Sequence, residues 1–352
     1  MAKSNIYDIA KAAGVSPSTV SRVLNSNKHV KQTTREKVLA VIEENKYRPN
    51  ALARNLSTGE ASTIVFIVPD IDNHFFIKIL QGISDVAMEC GYNVCMYDTD
   101  EDVGREKKVL SSLSPELIKG IIVIPVLEDN DETKQQLILF EERGIPVVLL
   151  ERDIAGSGFD GVFSDDCNAS LSAVECLINE GHRNIAAITG NLATSSGRER
   201  FEGYKKALEK FGIPFNADYV VEGNFRLQEA YDAMETLMKL TPRPTAIFTA
   251  SNMTTLGCLR YMKEHGMRMC RDISIVGFDD VHLLLDVDMM QTVMSRSEYM
   301  LGSESMRLLN TRFTEGILPE VDRGIVRRHT VKMQLEKRGS EKFRDFENDL
   351  DE

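Results

Sequence analysis

The sequence predicts an N-terminal all-α helix-turn-helix domain followed by a larger α/β domain of two lobes with parallel sheets. Three observations support this. Two short amphipathic segments flank a glycine within the first 25 residues, and from residue 63 apolar runs alternate with amphipathic helices. The 352-residue chain has a net charge of -12, yet residues 1–60 hold ten Lys and Arg against five Asp and Glu. A basic N-terminal end on an acidic body is expected when only that end contacts phosphates.

The first two helices form a pair that is typical of a helix-turn-helix. In residues 6–13 the apolar side chains recur on one helical face. Gly14 follows, where a helix end often takes the left-handed conformation. Ser16 and Pro17 then supply a cap and a first-turn proline for the second helix. Two short helices around such a turn predict a DNA-binding unit.

The second helix, residues 18–24, has one apolar and one small polar side. Val20, Val23 and Leu24 can face inward. The outward side carries Ser18, Thr19, Ser21 and Arg22. Such a face fits the major groove, where an arginine reads guanine and hydroxyls bind phosphates or base edges. The spacing alone leaves open a helical hairpin with a solvated polar face.

A third helix and a linker complete the N-terminal part. We expect the helix to begin near Thr33 with a capping box to Glu36. Residues 49–59 open on proline and close on glycine, and can form one or two helical turns. Helices this short are marginal in water, so the segment is expected to order on binding. A flexible tether is the alternative.

The rest of the chain alternates strands and helices. Strands are predicted near 63–69, 92–97, 120–125, 146–150, 161–164, 184–189, 219–222, 245–249 and 273–277. Helices among them are predicted at 75–90, 166–180, 197–211, 226–240 and 252–265. Buried strands alternating with helices indicate parallel sheets covered on both faces. So many strands divide naturally into two lobes with a ligand cleft between them.

The cleft is expected at the carboxyl ends of the strands, where ligands of such sheets bind. Polar and aromatic residues follow the strands there, in segments 71–76, 189–200, 251–252 and 279–280 and at Asp98. Carboxylate and guanidinium groups bond hydroxyls, and a ring stacks on phenylalanine. This chemistry suits a sugar or a purine.

Several motifs argue against catalysis, cofactors and metals. Residues 156–161 spell G-x-G-x-x-G, but Val162 and Phe163 continue as a strand instead of opening the helix that a dinucleotide site needs. We interpret them as a flexible inter-lobe loop. The six cysteines contain no C-x-x-C pair and predict reduced thiols. No H-E-x-x-H, G-x-S-x-G or P-loop is present, so no enzyme, cofactor or metal is expected.

The chain has no apolar run of transmembrane length and no signal-peptide core. We therefore expect a soluble cytoplasmic protein without a membrane partner.

Longer motifs in the N-terminal part carry a family resemblance. Tyr7–Ser16, Ser18–Asn25, Tyr47–Asn50 and Ala53–Leu56 resemble the signature of the LacI/GalR family of transcription regulators. The resemblance extends to about Gly339. It implies that α-helix 18–24 lies in the major groove, that 50–57 is a hinge helix in the minor groove, and that Leu56 is a wedge between base pairs. The implied DNA contacts are Ser16, Ser18, Thr19, Ser21, Arg22, Asn25, Arg54 and Leu56.

The resemblance also implies a periplasmic-binding-protein-like effector domain. Residues 72–76 resemble an Asn-Pro-Phe-Phe loop with His74 in place of proline, 200–204 an R-x-x-G-F/Y motif and 277–280 a G-F-D-D motif. Asn252 matches the first residue of an Asn-Asp pair, but Met253 replaces the aspartate. The implied effector contacts are Phe75, Phe76, Asp98, Thr194, Ser196, Arg200, Phe225, Asn252 and Asp279. Phe75 as core, Arg200 as a surface ion pair and Asp279 as a cap are the alternatives.

The predicted organisation is a DNA-binding domain at 1–48, a hinge at 49–60, an effector and dimerisation domain at 61–339 and a disordered acidic tail at 340–352. The expected function is a repressor that binds double-stranded DNA at a palindromic operator as a homodimer, under control of a small effector such as a sugar. A protein co-regulator, and whether the effector tightens or releases DNA, stay open. The rivals are an exported sugar-binding protein, which should lack residues 1–60, and an enzyme fused to a DNA-binding domain.

Overall fold

The chain divides into a small N-terminal unit, residues 1–61, and a large unit, residues 62–352. The computed structural model describes residues 5–24, 30–45, 61–281, 284, 291–314 and 325–342. The whole of the predicted hinge, residues 49–60, lies outside these residues. Each unit is described by itself.

The N-terminal unit has three helices, α1 (Ile6–Ala13), α2 (Pro17–Leu24) and α3 (Gln32–Glu44). Gly14 ends α1 in the left-handed conformation with φ 63°, as its position predicts. The Ser16 hydroxyl accepts a hydrogen bond from the Thr19 amide at 3.2 Å and so begins α2. The predicted turn between two short helices is therefore present. The buried core consists of Ile9, Ala10, Ala13, Val20, Val23 and Val38.

The third helix starts within one residue of the predicted Thr33, but the predicted capping box is absent. The helix begins at Gln32, and its N-cap is Lys31, whose side chain makes no capping hydrogen bond. Glu36 instead accepts a hydrogen bond from the side-chain amide nitrogen Nε2 of Gln32 at 2.9 Å. A T-x-x-E pattern thus occurs one position inside the helix, where Glu36 forms an i,i+4 side-chain pair.

The large unit continues the alternation of strands and helices. Its first part comprises β1 (Thr63–Val68), α4 (His74–Glu89), β2 (Asn93–Asp98), α5 (Val103–Ser112), β3 (Ile118–Val123), α6 (Asp131–Glu142), β4 (Val147–Leu150) and β5 (Asp160–Ser164). Then come α7 (Asp166–Asn179), β6 (Ile185–Thr189), α8 (Ser195–Lys210), β7 (Val220–Glu222), α9 (Leu227–Leu237), β8 (Ala246–Thr249), α10 (Asn252–Glu264) and β9 (Ser274–Phe278). The last elements are β10 (Thr292–Ser295), α11 (Glu298–Thr314), β11 (Arg328–Val331) and β12 (Gln334–Glu336).

These strands form two six-stranded sheets, one in each lobe. The first has the order β11-β5-β4-β3-β1-β2 and the second β12-β10-β9-β8-β6-β7. The pairs are parallel except for β10 with β12, which is antiparallel. In the first sheet Ile64 pairs with Val94 on one side and Gly120 on the other. The predicted two-lobed α/β fold is confirmed.

The chain crosses between the lobes three times. The crossings lie between β5 and α7, between β10 and α11, and between β11 and β12. Arg296 lies on the second crossing, so its backbone belongs to a segment that connects the two lobes.

Each sheet is covered by helices on both faces. In the first lobe one apolar cluster includes α4 and α11, and another includes α5 and α6. In the second lobe one cluster includes α7 and α8, and another α9 and α10. The inner strands β1, β3 and β4 of the first lobe and β6, β8 and β9 of the second are therefore buried on two sides, which explains their continuous apolar sequences.

Two predictions about loops and ends are wrong. Residues 156–161 join β4 to β5, which are neighbours in the first sheet, so they are not an inter-lobe loop. The segment from residue 340 is not disordered at its start, because Ser340 and Glu341 are buried. The Ser340 hydroxyl accepts from the Thr292 amide at 2.7 Å and donates to the Ile275 carbonyl at 2.6 Å, so it bridges β9 and β10.

Candidate DNA-reading helix and effector cleft

The polar side of α2 is accessible, as a DNA-reading surface requires. Ser18 and Arg22 are exposed, and Thr19 and Ser21 are half-buried. The Ser16 hydroxyl lies 2.8 Å from both the Ser18 and the Thr19 hydroxyls, which orders the start of this surface. Asn25, Arg54 and Leu56 lie outside the described residues. Contact of these side chains with DNA remains a prediction.

The large unit has a cleft between its lobes at the carboxyl ends of the strands. Seven of the nine predicted effector residues line it: Phe75, Phe76, Ser196, Arg200, Phe225, Asn252 and Asp279. The remaining lining residues are Asp70, Asn73, Glu101, Ile124, Glu151, Arg152, Ser251 and Arg296. The sheets thus bring together residues from distant parts of the sequence, as ligand sites of such folds do.

Two predicted effector residues do not line the cleft. Asp98 lies 3.2 Å from the Arg105 guanidinium and accepts hydrogen bonds from the Ile71 and Asp100 amides. Thr194 is the N-cap of α8, and its hydroxyl accepts from the Gly197 amide at 3.0 Å and donates to the Asn191 carbonyl at 2.7 Å. Both side chains are therefore used in shaping local structure.

Five charged side chains contact one another at the cleft, and we call them the cleft cluster: Glu151, Asp166, Arg200, Asp279 and Arg296. All except Asp166 line the cavity. A nitrogen of Arg296 lies 2.6 Å from Glu151 and 3.1 Å from Asp279. Arg200 lies 3.2 Å from Asp166, and it donates to the Ala250 carbonyl at 2.8 Å. Side-chain exposure in the cluster is at most 6%. Charges this deeply buried are tolerated because they pair with one another.

Burial shifts the acid–base behaviour of the cluster. Loss of solvation raises the pKa of Glu151 to about 7, although Arg296 acts in the opposite direction. Burial likewise raises the pKa of Asp166 against the effect of Arg200. For Arg296, burial disfavours the charged form, but Asp279 and Glu151 outweigh it and raise the pKa. The arginine therefore keeps its proton, and Glu151 gains one near neutral pH.

Aromatic rings close the sides of the cleft. Phe225 has φ 60°, a left-handed backbone that side chains rarely adopt. Its ring packs on Gly190, where a Cβ atom would lie 2.0 Å from the ring. The Arg152 guanidinium lies 5.1 Å from the centre of this ring and is held by Glu101 through two hydrogen bonds of 2.7 Å. Backbone strain of this kind is often retained where a ring must face a ligand.

Direct contacts between the lobes hold the cleft closed. The amides of Asn73 and Asn252 exchange hydrogen bonds of 2.8 and 3.3 Å. Arg226 donates to the Asp100 carboxylate at 2.7 Å, and Arg198 donates to Glu128 at 2.8 and 2.9 Å. The cavity that remains measures about 40 Å³. It can hold water but no monosaccharide, so a ligand requires the lobes to separate.

Sequence reasoning missed the centre of the cluster. Glu151 and Arg152 directly follow β4, and the rule that sites lie after strands could have found them. Arg296 follows β10, a strand that was not predicted, so no signal pointed to it. Asn73 lay within a predicted loop, but its role as the N-cap of α4 and partner of Asn252 is visible only in three dimensions.

The described residues contain neither a metal-binding group nor a membrane-spanning helix. No group of three or more His, Cys, Asp or Glu within them could hold a metal ion. No helix in the described part of the chain is long and apolar enough to cross a membrane.

The fold and the site together define a DNA-binding regulator with a two-lobed ligand-binding body. A profile described as bacterial regulatory proteins of the lacI family matches residues 5–50. A second, for periplasmic binding proteins and the sugar binding domain of the LacI family, matches residues 61–314. The chain therefore belongs to the LacI family of bacterial transcription regulators.

Curated relatives agree with this assignment over most of their length. Catabolite control protein A of Priestia megaterium is 34% identical over 305 residues, which cover 86% of this chain and 91% of the relative. The transcriptional repressor PurR of Pasteurella multocida is 29% identical and covers 94% of this chain and 100% of its own.

Solved structures show the same architecture. The lac repressor dimer bound to operator and the anti-inducer ONPF has a TM-score of 0.82 at 26% identity and covers 97% of this chain and 100% of its own. The regulator CelR in complex with cellobiose has a TM-score of 0.70 at 27% identity, covering 96% and 99%.

Proposed function

We propose that this regulator represses transcription by binding a palindromic operator as a homodimer, and that a small hydroxyl-rich effector held between the lobes controls its affinity for DNA. The cleft cluster is the observation that supports binding of an effector between the lobes. Buried carboxylates and guanidiniums flanked by aromatic rings suit a sugar or a sugar derivative. The operator-bound lac repressor dimer and the cellobiose complex of CelR support the proposal by similarity.

We assign the effector contacts to predicted and newly found residues of the cleft. The predicted ones are Phe75, Phe76, Ser196, Arg200, Phe225, Asn252 and Asp279, and Glu151 and Arg296 join them. The lobes open to admit the ligand and close over it, since the closed cavity is too small for entry. DNA and effector are then linked equilibria, typically coupled by about 1–3 kcal/mol.

The role of the dimer follows from the size of the reading helix. One α2 contacts only a few base pairs, so two copies on half-sites about one helical turn apart provide specificity. Residues 1–48 would supply the reading domain, 49–60 the hinge and 61–339 the effector and dimerisation domain. Within the hinge, Leu56 would insert between base pairs at the operator centre.

Two matched substitutions, one in the cleft and one outside it, test the effector function. The full chain is bound to its selected operator and titrated with a panel of sugars, polyols and their derivatives. We expect Asp279→Asn to reduce the response to the active compound at least about tenfold, because a buried charge-assisted hydrogen bond is lost. Asp98→Asn is the matched control, since Asp98 follows a strand of the same domain but does not line the cavity. Equal loss in both variants would contradict the assignment of the cleft.

A further inference from the structure

The cleft cluster contains more carboxylates than guanidiniums. Glu151, Asp166 and Asp279 oppose Arg200 and Arg296, and side-chain exposure in the cluster is at most 6%. The neighbouring pairs Arg152–Glu101 and Arg226–Asp70 are balanced and do not supply a further positive charge. When every group is ionised, the cluster therefore carries one uncompensated negative charge in a water-poor space.

The guanidiniums are already occupied by protein acceptors. The terminal nitrogens of Arg296 contact Glu151, Asp279 and Asp166. Those of Arg200 contact the Ala250 carbonyl and Asp166. Neither Nε atom makes a hydrogen bond among the described residues; that of Arg200 lies 3.2 Å from the Asp166 carboxylate, which leaves the Nε–H of Arg296. An anionic ligand would have no free bidentate donor and would add a second unbalanced charge, whereas a single N–H suits one hydroxyl oxygen.

Two carboxylate oxygens of the cluster accept no hydrogen bond within the described residues, but Oδ1 of Asp279 lies 3.1 Å from an Arg296 nitrogen, whereas Oε1 of Glu151 has no such contact. Arg296 binds Oε2 of Glu151, but within the described residues no group donates to Oε1. The Glu151 side chain is only 6% exposed and lines the cavity. A buried acceptor without a donor costs free energy, and more so when it is charged. A ligand that donates to this oxygen removes that cost.

We propose that the effector carries a protonated amine beside its hydroxyl groups, and that Glu151 is the counter-ion of this amine. A hydroxyl would satisfy Oε1 as a hydrogen-bond donor but would leave the extra negative charge, whereas an ammonium group does both. The ligand class is thus an amino sugar or an aminated polyol. This inference rests on the proposed function and makes its ligand specific.

When no ligand is bound, a proton on Glu151 neutralises the extra negative charge of the cluster. The groups that face Glu151 are Arg296, Asp166, Asp279 and Arg200, and burial raises the pKa of Glu151 to about 7. Binding of an ammonium group at Glu151 then releases this proton. Below pH 7 the proton competes with the ligand, so the affinity for an amine falls as pH falls.

The test compares amines with alcohols of the same skeleton. The full chain is titrated calorimetrically with glycerol and serinol, and with sorbitol and glucamine, at pH 6 and pH 8. Aliphatic amines keep their proton over this range. In at least one pair we expect the amine to bind about tenfold more tightly at pH 8. A pKa of about 7 also predicts roughly tenfold weaker amine binding at pH 6, with no change for the alcohol.

Glu151→Gln keeps the shape of the side chain and removes its charge. We expect this variant to lose both the amine preference and its pH dependence, while Glu106→Gln retains both. Glu106 is a matched control because it is a buried carboxylate of the same lobe that bonds Val126 and Thr133 away from the cavity.

Two results would overturn the inference. One is alcohols that bind as tightly as their amines or more so, and the other is no measurable binding by either member of any pair. The proposed function has a separate test, because it fails only if no compound of any charge changes operator binding by the full chain.

Discussion

Arg22 is the residue on which base recognition by the N-terminal unit most depends. It is exposed in the last turn of α2, on the side opposite the buried Val20 and Val23. An arginine in this position can form two hydrogen bonds with a guanine in the major groove.

Arg22→Ala is therefore expected to weaken operator binding by about 1–3 kcal/mol and to relax base choice at one position of each half-site. The measurement is a binding titration against the operator and its single-base variants. Lys11→Ala is the control, because we expect an exposed lysine on α1, outside the reading helix, to contact phosphate, so that its loss weakens binding to all sequences alike. An Arg22→Ala protein that loses affinity evenly for all DNA would contradict base reading.

Glu151 makes the stability of the large unit depend on pH. Its pKa in the folded chain is raised from 4.5 to about 7, so the folded state binds the proton more tightly than the unfolded state does. A raised pKa contributes stability at low pH, and this contribution is lost as pH rises from about 4.5 to about 7.

In Glu151→Gln that loss is absent. The difference in free energy of unfolding between the variant and the parent should shift in favour of the variant across this pH window, by up to about 3 kcal/mol. Denaturant unfolding at a series of pH values measures it. A constant difference from pH 4 to pH 8 would show that Glu151 does not titrate in this window.

Helix pairs in both lobes are held close by glycine. In the first lobe Gly302 of α11 contacts α4 so closely that a Cβ atom would lie 2.0 Å from the Ile79 carbonyl oxygen. In the second lobe Gly257 of α10 approaches the Leu227 carbonyl of α9 in the same way, at 2.4 Å. Backbone atoms cannot move aside as side chains do, so these contacts fix the distances between the helices.

Gly302→Ala is expected to destabilise the large unit by about 1–3 kcal/mol, because the methyl group forces α4 and α11 apart. Chemical denaturation of the full chain gives this value. Gly104→Ala is the control, since Gly104 is exposed in the first turn of α5 and meets only the Asp102 side chain, at 3.1 Å. Equal stability of the two variants would contradict the close packing.

Strands were the elements that the sequence predicted best. Every predicted strand is present, with ends within two residues, because a doubly covered sheet demands uninterrupted apolar runs. The strands β10, β11 and β12 escaped prediction. They lie at the inter-lobe crossings, are short, and β11 and β12 are largely exposed, so they carry no continuous apolar pattern.

Residues of the site could be predicted from sequence only where the strand before them was itself predicted. Those at the ends of predicted strands, such as Asp279 and Asn252, could be found from sequence. Arg296 could not, because the strand before it was unknown. The balance of charge among Glu151, Asp166 and the two arginines depends on distances between side chains that are far apart in sequence.

At the scale of the whole molecule, the large unit is closed by its own side chains. Arg226 and Arg198 each reach from the second lobe to carboxylates of the first, and the Asn73–Asn252 pair adds a further contact between the lobes. Arg296 joins the cluster from an inter-lobe crossing. A ligand that rearranges the cluster therefore acts directly on this crossing between the lobes. That provides a physical route from effector binding to rotation of the lobes.

The proposed function depends above all on the recognition of a specific DNA sequence by a dimer of this chain. Selection of random double-stranded DNA by the purified full chain at near-physiological salt, with and without a metabolite pool, tests it most directly. We predict enrichment of one palindrome, with half-sites about one helical turn apart, in at least one of the two conditions. Absence of any enriched sequence in both conditions would contradict sequence-specific DNA recognition by this chain.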